Sequence, residues 1–439
     1  MKAKKKGRRL VIPLAMAAVL VLLGARMFFK DTSGPDLTLV PEPSGPVSAH
    51  SEFVLKASDS SGVGSIYVIL ERDGLSMPLP TPSQDGSQTE AEFAFSLGTM
   101  TLPDGPFKLI VQAVDNSYAR FGKGNVTVRE YPLTMDTTAP VIRVKTTPPL
   151  VRRGGTGAVV YTVSEETSRS GVMVGDLLFP GFRKPDGSYV CLFPYPYVME
   201  PDSYHPEIMA EDTAGNVSSS SLLINAVNAK FRKDTVNITD AFIKTKSDVL
   251  AALCPEKTSP VEQYVCANDE QRGKDEMRLL GICSHSASSA HWDGDFMRLP
   301  RSAVSAGFGD DRTYKYKGEA VNRQTHTGMD LASVKNADVP AANDGTVVFC
   351  GDLGIYGNTL VIDHGLNLFT LYAQLSEFSA ETGAAVKRGD VIGKTGRTGL
   401  AGGDHVHLGF LIGGVPVQPL EWLDNAWIRN NISSRMAVQ

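Results

Sequence analysis

The chain has five cysteines in 439 residues and no Cys-x-x-Cys spacing, which excludes a cysteine-built zinc module as its organising feature. It also lacks a basic surplus beyond its start. Net charge is −5, although six of the first nine residues are positive (Lys2, Lys4, Lys5, Lys6, Arg8, Arg9). An acidic body argues against nucleic acid as a partner. No cysteine follows closely enough on the N-terminal apolar run to accept a lipid, so a lipid-anchored leader is excluded as well.

What is present is enough apolar material for several packed domains, with 42% hydrophobic and 21% charged residues. The basic start runs into Leu10–Phe29, nearly all apolar, with Arg26 close enough to the end to snorkel. A run of about 20 such residues can span a bilayer. Positive charge before it would hold the N-terminus in the cytoplasm and export everything after Lys30. The expectation is a membrane anchor over residues 1–30. A cleaved signal peptide is the rival, disfavoured by Leu22 and Leu23 where a small residue would precede the cut. The expected location is the bacterial inner membrane, single-pass, with the bulk of the chain in the periplasm or outside the membrane.

Export permits disulfides. Cys254, Cys266 and Cys283 fall close together and one pair among them is expected, while Cys191 and Cys350 sit in apolar runs as core residues.

Residues 31–134 alternate short apolar runs with Gly, Pro, Asp and Ser clusters. Ser65–Leu70, Ala91–Ser96 and Phe107–Ala113 read as strands, and about a hundred residues of this pattern predict a β-sandwich. After Asp136–Pro140 the pattern restarts, giving a second sandwich over 135–229. Ala113-Val114-Asp115-Asn116 near the end of the first module has a counterpart in Ala210–Asn216 near the end of the second. These turns resemble those of bacterial immunoglobulin-like repeats, a resemblance that implies stalk or spacer modules. Residues 230–313 read as a partly helical connector capped by Asp240, with Leu250, Leu253, Val261, Tyr264 and Val265 at helical spacing. His285 and His291 in this stretch read as solvated loop histidines.

From Tyr314 onward short β-branched and aromatic runs recur between Gly-rich turns, predicting a compact antiparallel β domain over 314–425 and a tail over 426–439. Val339–Gly345 and Val386–Gly393 look like half-repeats. The whole is therefore expected to be mainly β. Two motifs in this last domain carry chemistry: His326-Thr-Gly-Met-Asp330 and His405-Val406-His407. Side chains at i and i+2 leave the same face of a strand, so His405 and His407 project together. Hydrolytic zinc takes three nitrogen or oxygen ligands and keeps the fourth place for water, and these motifs offer such a set.

With Gly357-Asn358, Asp363-His364-Gly365, Leu371-Tyr372, Leu375-Ser376, Gly393-x-Thr395-Gly396 and Gly403-Asp404-His405-Val406-His407 in this order, residues 325–422 resemble the lysostaphin/LytM-type zinc metallopeptidases of bacterial cell-wall peptidoglycan. The resemblance implies Zn2+ held by His326, Asp330 and His407, with His405 as base or as stabiliser of the tetrahedral intermediate. It implies a zinc metalloendopeptidase whose partners are peptidoglycan stem or cross-link peptides. One position departs from the pattern. Where the family has a second catalytic histidine this chain has Gln374, which can hydrogen-bond an oxyanion but cannot shuttle a proton; His364 is the nearest substitute. The alternative reading is a catalytically weak zinc-binding domain that binds peptidoglycan or regulates another hydrolase. A carrier built on the same half-repeat architecture would need a lysine at a hairpin tip, and none is placed there.

Overall fold

The computed structural model describes residues 15–23, 31–83, 86–99 and 102–438. Most of the expected membrane span, Leu10–Phe29, lies outside these residues. Residues 15–23 are helical with exposed apolar side chains. Among the described residues no helix is long and apolar enough to cross a membrane, so the anchor finds no support there.

The chain divides into two compact units, one comprising residues up to Pro140 with Glu211–Val217, the other Val141–Ala210 with residues from Ser218 on. In the first, strands Asp36–Val40, Glu52–Ser58 and Glu90–Ser96 form one sheet. Pro46–Val47, Val126–Met135, Gly105–Asp115, Val63–Arg72 and Leu75–Pro78 form a second. Alternation along Gly105–Asp115 puts Phe107, Leu109, Val111 and Ala113 inside, where they share one core with Leu55 and Val68 of the other strands. Two sheets on one core make the expected sandwich.

Beyond Pro140, Thr156–Val163 and Tyr189–Pro194 pair in one four-stranded sheet, while Thr167–Val174 and Glu207–Asp212 belong to another. The repeat seen in the sequence has a physical basis. Asp115 accepts from the backbone N–H groups of Ser117 and Asn125 and from the Asn125 amide. Asp212 accepts likewise from the N–H groups of Ala214 and Asn216 and from the Asn216 amide. Each carboxylate closes the turn that ends its strand.

The eight-stranded antiparallel sheet of the C-terminal region runs Ala303–Ala306, Met329–Ala332, Val406–Ile412, Leu368–Ala373, Asn358–Asp363, Gly345–Asp352 and Ala385–Val386, with Val415–Val417 on Val406–Ile412. The two half-repeats meet each other. Asp338–Pro340 pairs with Val391–Lys394, and Gly345 faces Val386.

Three expectations about boundaries change. The connector is no separate body, because its strand Lys233–Ile238 runs parallel to Asp311–Tyr316, which pairs in turn with Glu319–Thr325. The strand that opens the expected peptidase region thus starts ahead of Tyr314. Residues after 425 are not a loose tail: Asn425–Ile428 and the following turns are helical and bury Ile428 and Ile432 in the core. That core is continuous from the second sandwich into the C-terminal sheet, joining Phe193 and Tyr195 to Phe296, Phe410 and Trp422. Trp422 donates its indole N–H to the Thr156 hydroxyl.

In the connector the helix cap is Thr239, whose side chain accepts from Phe242 N, and Asp240 is the first helical residue. Cys254 and Cys266 form the disulfide, and Cys191, Cys283 and Cys350 are free.

Candidate metal centre

His326 and Asp330 flank the start of the strand Met329–Ala332, and His407 lies on Val406–Ile412 with Asp330 directly opposite it in the ladder. Ala373 pairs with His407 from the other side, so the backbone fixes His407 between two neighbours. Gly328 is required by this approach. A Cβ there would stand 2.5 Å from His407 Nε2, which explains the glycine in His-Thr-Gly-Met-Asp.

The three side chains converge. His326 Nε2 is 2.9 Å from Asp330 Oδ1 and 3.0 Å from His407 Nδ1, and His407 Nδ1 is 2.9 Å from Asp330 Oδ1. His326 Nδ1 lies 2.8 Å from the Gly307 carbonyl. A carbonyl only accepts, so that nitrogen carries the proton and Nε2 offers a lone pair. Lone pairs of imidazole and carboxylate face to face repel unless a cation or proton sits among them. The donor set of two nitrogens and one oxygen suits a borderline-soft divalent ion. These residues fit a metal, and they stand among the groups of described residues able to hold one.

Electrostatics agree with the geometry. Burial lowers His407 to about 4, with the Asp330 hydrogen bond only partly opposing it. The ring is therefore neutral at pH 7, as a ligand must be. Burial pushes Asp330 up, but His326, His405 and His407 outweigh it and hold the carboxyl well below its usual range. His405 reaches 3.6 Å from Asp330 Oδ1 while its Nδ1 donates to Gly403 O at 2.9 Å. Burial pulls its pKa down, and the Asp330 interaction raises it on balance.

His326, Asp330 and His407 line a cleft of about 280 Å³, whereas His405 stands beside Asp330 outside that lining. Gln374, at φ 68°, also lines it, and its Oε1 is buried with no partner. His364 is elsewhere, bonded at Nδ1 to Asp344 O and at Nε2 to the Thr370 hydroxyl, each at 2.7 Å. It cannot substitute for the missing histidine. His285 and His291 are likewise absent from the lining.

Two features of the cleft escape the sequence reading. One wall is built by Val236, Ile238, Phe242, Tyr264, Asn268 and Arg272 of the expected connector. The other is Arg312, with Tyr314 two residues on along the same strand face. The alternation Arg312-x-Tyr314 just ahead of His326 was the available signal.

Residues 324–419 match peptidase family M23. The chain carries an M23 domain. Among curated relatives, DD-carboxypeptidase/endopeptidase Mpg of Neisseria meningitidis serogroup B is 44% identical over 95 residues, 22% of each chain. Stage II sporulation protein Q of Bacillus subtilis is 39% identical over 101 residues, 22% of this chain and 36% of that one. Peptidoglycan DD-endopeptidase ShyA of Vibrio cholerae is 35% identical over 96 residues, 22% of each. The chain thus spans about a fifth of the length of the Neisseria and Vibrio relatives. The M23 region covers the antiparallel sheet apart from its edge strand Ala303–Ala306, and it holds His326, Asp330 and His407.

Proposed function

We propose that this protein is a membrane-anchored, zinc-dependent endopeptidase hydrolysing peptide bonds of cell-wall peptidoglycan. The observation that carries the reading is the convergence of His326 Nε2, Asp330 Oδ1 and His407 Nδ1 within 3.0 Å of one another inside a cleft. His326, Asp330 and His407 would hold Zn2+. Bound there, zinc supplies a water acidified to a pKa of about 7 and a Lewis acid for the scissile carbonyl. His405, 3.6 Å from the Asp330 carboxylate and partly exposed, would accept that water's proton. Gln374 hydrogen-bonds the substrate without moving a proton.

The basic start and the apolar run to Phe29 support an inner-membrane anchor with the bulk of the chain in the periplasm. The two sandwiches are read as immunoglobulin-like spacers, with domain limits at 31–134 and 135–229. Amide in place of imidazole at position 374 favours a second reading, in which the domain grips stem peptides or regulates another hydrolase.

The deciding experiment is mass spectrometry of cross-linked muropeptides incubated with the protein, with and without a chelator. New, chelator-sensitive amino termini are expected. Binding without any new terminus would leave only the second reading.

A further inference from the structure

The cleft holds two complementary vacancies in its hydrogen bonding. Arg312 Nε and Gln374 Oε1 are both buried, both without a partner, and both belong to residues lining the cavity beside the metal centre. One is a donor and the other an acceptor. An unmet buried polar group is costly and calls for an explanation. A peptide group offers the matching pair, a carbonyl oxygen to accept and an N–H to donate.

Arg312 has a second possible duty, as a prop for the carboxylate of Asp330, but the geometry gives that duty little of the guanidinium. Its Nη2 reaches Asp330 Oδ2 at 3.4 Å, whereas an Arg–carboxylate fork closes to about 2.7–2.9 Å on two bonds. Its side chain is only 16% exposed and remains charged at every physiological pH. The cleft therefore contains a fixed cation that also meets Tyr314 and whose Nε alone lacks a partner, together with an amide at 374 that has no charge to offer.

We propose that Arg312 is a catalytic residue of the M23 cleft, donating to the scissile carbonyl oxygen as it becomes an oxyanion, while Gln374 Oε1 accepts the N–H of the bound peptide. The inference rests on the hydrolytic reading above. In the addition step the oxygen of water bonds to the carbonyl carbon, its proton passes to a base, and the C=O π pair moves onto oxygen. In collapse that pair re-forms C=O, the C–N bond breaks with its pair going to nitrogen, and the nitrogen takes a proton to leave as an amine. Arg312 holds the oxygen through both steps. Preorganised donors of this kind contribute strongly because they need no reorganisation when charge appears.

The test uses the full chain loaded with zinc, as wild type, Arg312→Lys and Arg312→Gln. Zinc content, KM and kcat on a cross-linked muropeptide, and calorimetric binding of a phosphinic peptide, a tetrahedral anionic mimic, against its parent peptide would be measured. Arg312→Gln should keep one zinc and a KM within about threefold, lose kcat by about 10²–10³-fold, and weaken the phosphinic peptide far more than the parent. Arg312→Lys should recover part of both losses. If Arg312→Gln lowers zinc content while the ratio of the two affinities stays at the wild-type value, Arg312 is a prop for Asp330 and the proposal falls. Unchanged kcat in an active wild type would also overturn it, leaving the hydrolytic reading intact. A wild type that neither hydrolyses the muropeptide nor binds the phosphinic peptide would remove both.

Discussion

The two walls of the cleft are built by different means. The wall bearing His326, Asp330 and His407 is made of strands paired on both sides, where the register itself sets which side chains meet. The other wall joins Val236 and Ile238, on a strand paired along one edge only, to Phe242, Tyr264, Asn268 and Arg272 on short helices fixed by individual side chains. Asn268 Nδ2 donates to Asn322 Oδ1 at 2.8 Å and Gln324 Nε2 to Asp269 Oδ1 at 3.0 Å. Lys246 Nζ donates to Arg397 O at 2.6 Å, and Asp275 accepts from Ile355 N at 2.8 Å. Gly354 leaves room for that carboxylate, since a Cβ there would stand 2.1 Å from it. A ligand set on paired strands is lost one donor at a time and abruptly. A wall hung on side chains weakens in steps.

The largest effect should therefore come from the stranded wall. His407→Ala or His326→Ala is expected to abolish stoichiometric zinc binding, read by elemental analysis after dialysis, with secondary structure retained by circular dichroism. Full zinc occupancy in both variants would remove the distinction between the walls. Next comes Gln374→His, which restores a group able to carry a proton. Hydrolysis of cross-linked muropeptide should rise by about 10²-fold or more at unchanged zinc content. No gain would show that position 374 only shapes the cleft.

A smaller change belongs to the helical wall. Replacing Cys254 and Cys266 by serine frees the loop that the disulfide closes and should lower unfolding free energy by about 3 kcal/mol in denaturant titration, with zinc stoichiometry intact. Loss of zinc in that double variant would mean that the two walls are not independent. The smallest effect concerns Lys246, which burial, with Arg397 nearby, lowers to about 8. Its unfolded pKa is higher, so the folded chain holds fewer protons between the two values. Stability from this group is then present above the unfolded value and lost as pH falls through about 8. Relative to Lys246→Met, the wild type should gain thermal stability on going from pH 8 to pH 10.

The same contrast explains what could be read from residues alone. The convergence of His326, Asp330 and His407 was legible because these residues sit in two short motifs whose spacing survives translation into strands. The β character of these regions was legible through alternation, and the buried Cys191 through its apolar surroundings, whereas Cys350, expected in the core, is only partly buried against it. The second wall was not, since Lys233–Ile238 meets Asp311–Tyr316 only after the intervening helices, and nothing local announces a parallel pairing of that reach. Placing the boundary at Tyr314 cut through this strand and put Arg312 on the wrong side of it. The C-terminal helices were missed although Ile428 and Ile432 stand one turn apart, a spacing that periodicity can reveal.

Trp422 carries a last consequence. It is fully buried, stacks parallel to Phe410 at 6.4 Å, and is tied to Thr156 of the second sandwich. A cut at residue 230 would bare that aromatic seam to water, so the smallest soluble fragment that keeps the peptidase sheet intact begins near Val141. Mechanically, the second sandwich is then a splint moulded to the M23 domain, and a load applied to it passes into the C-terminal sheet without an intervening joint.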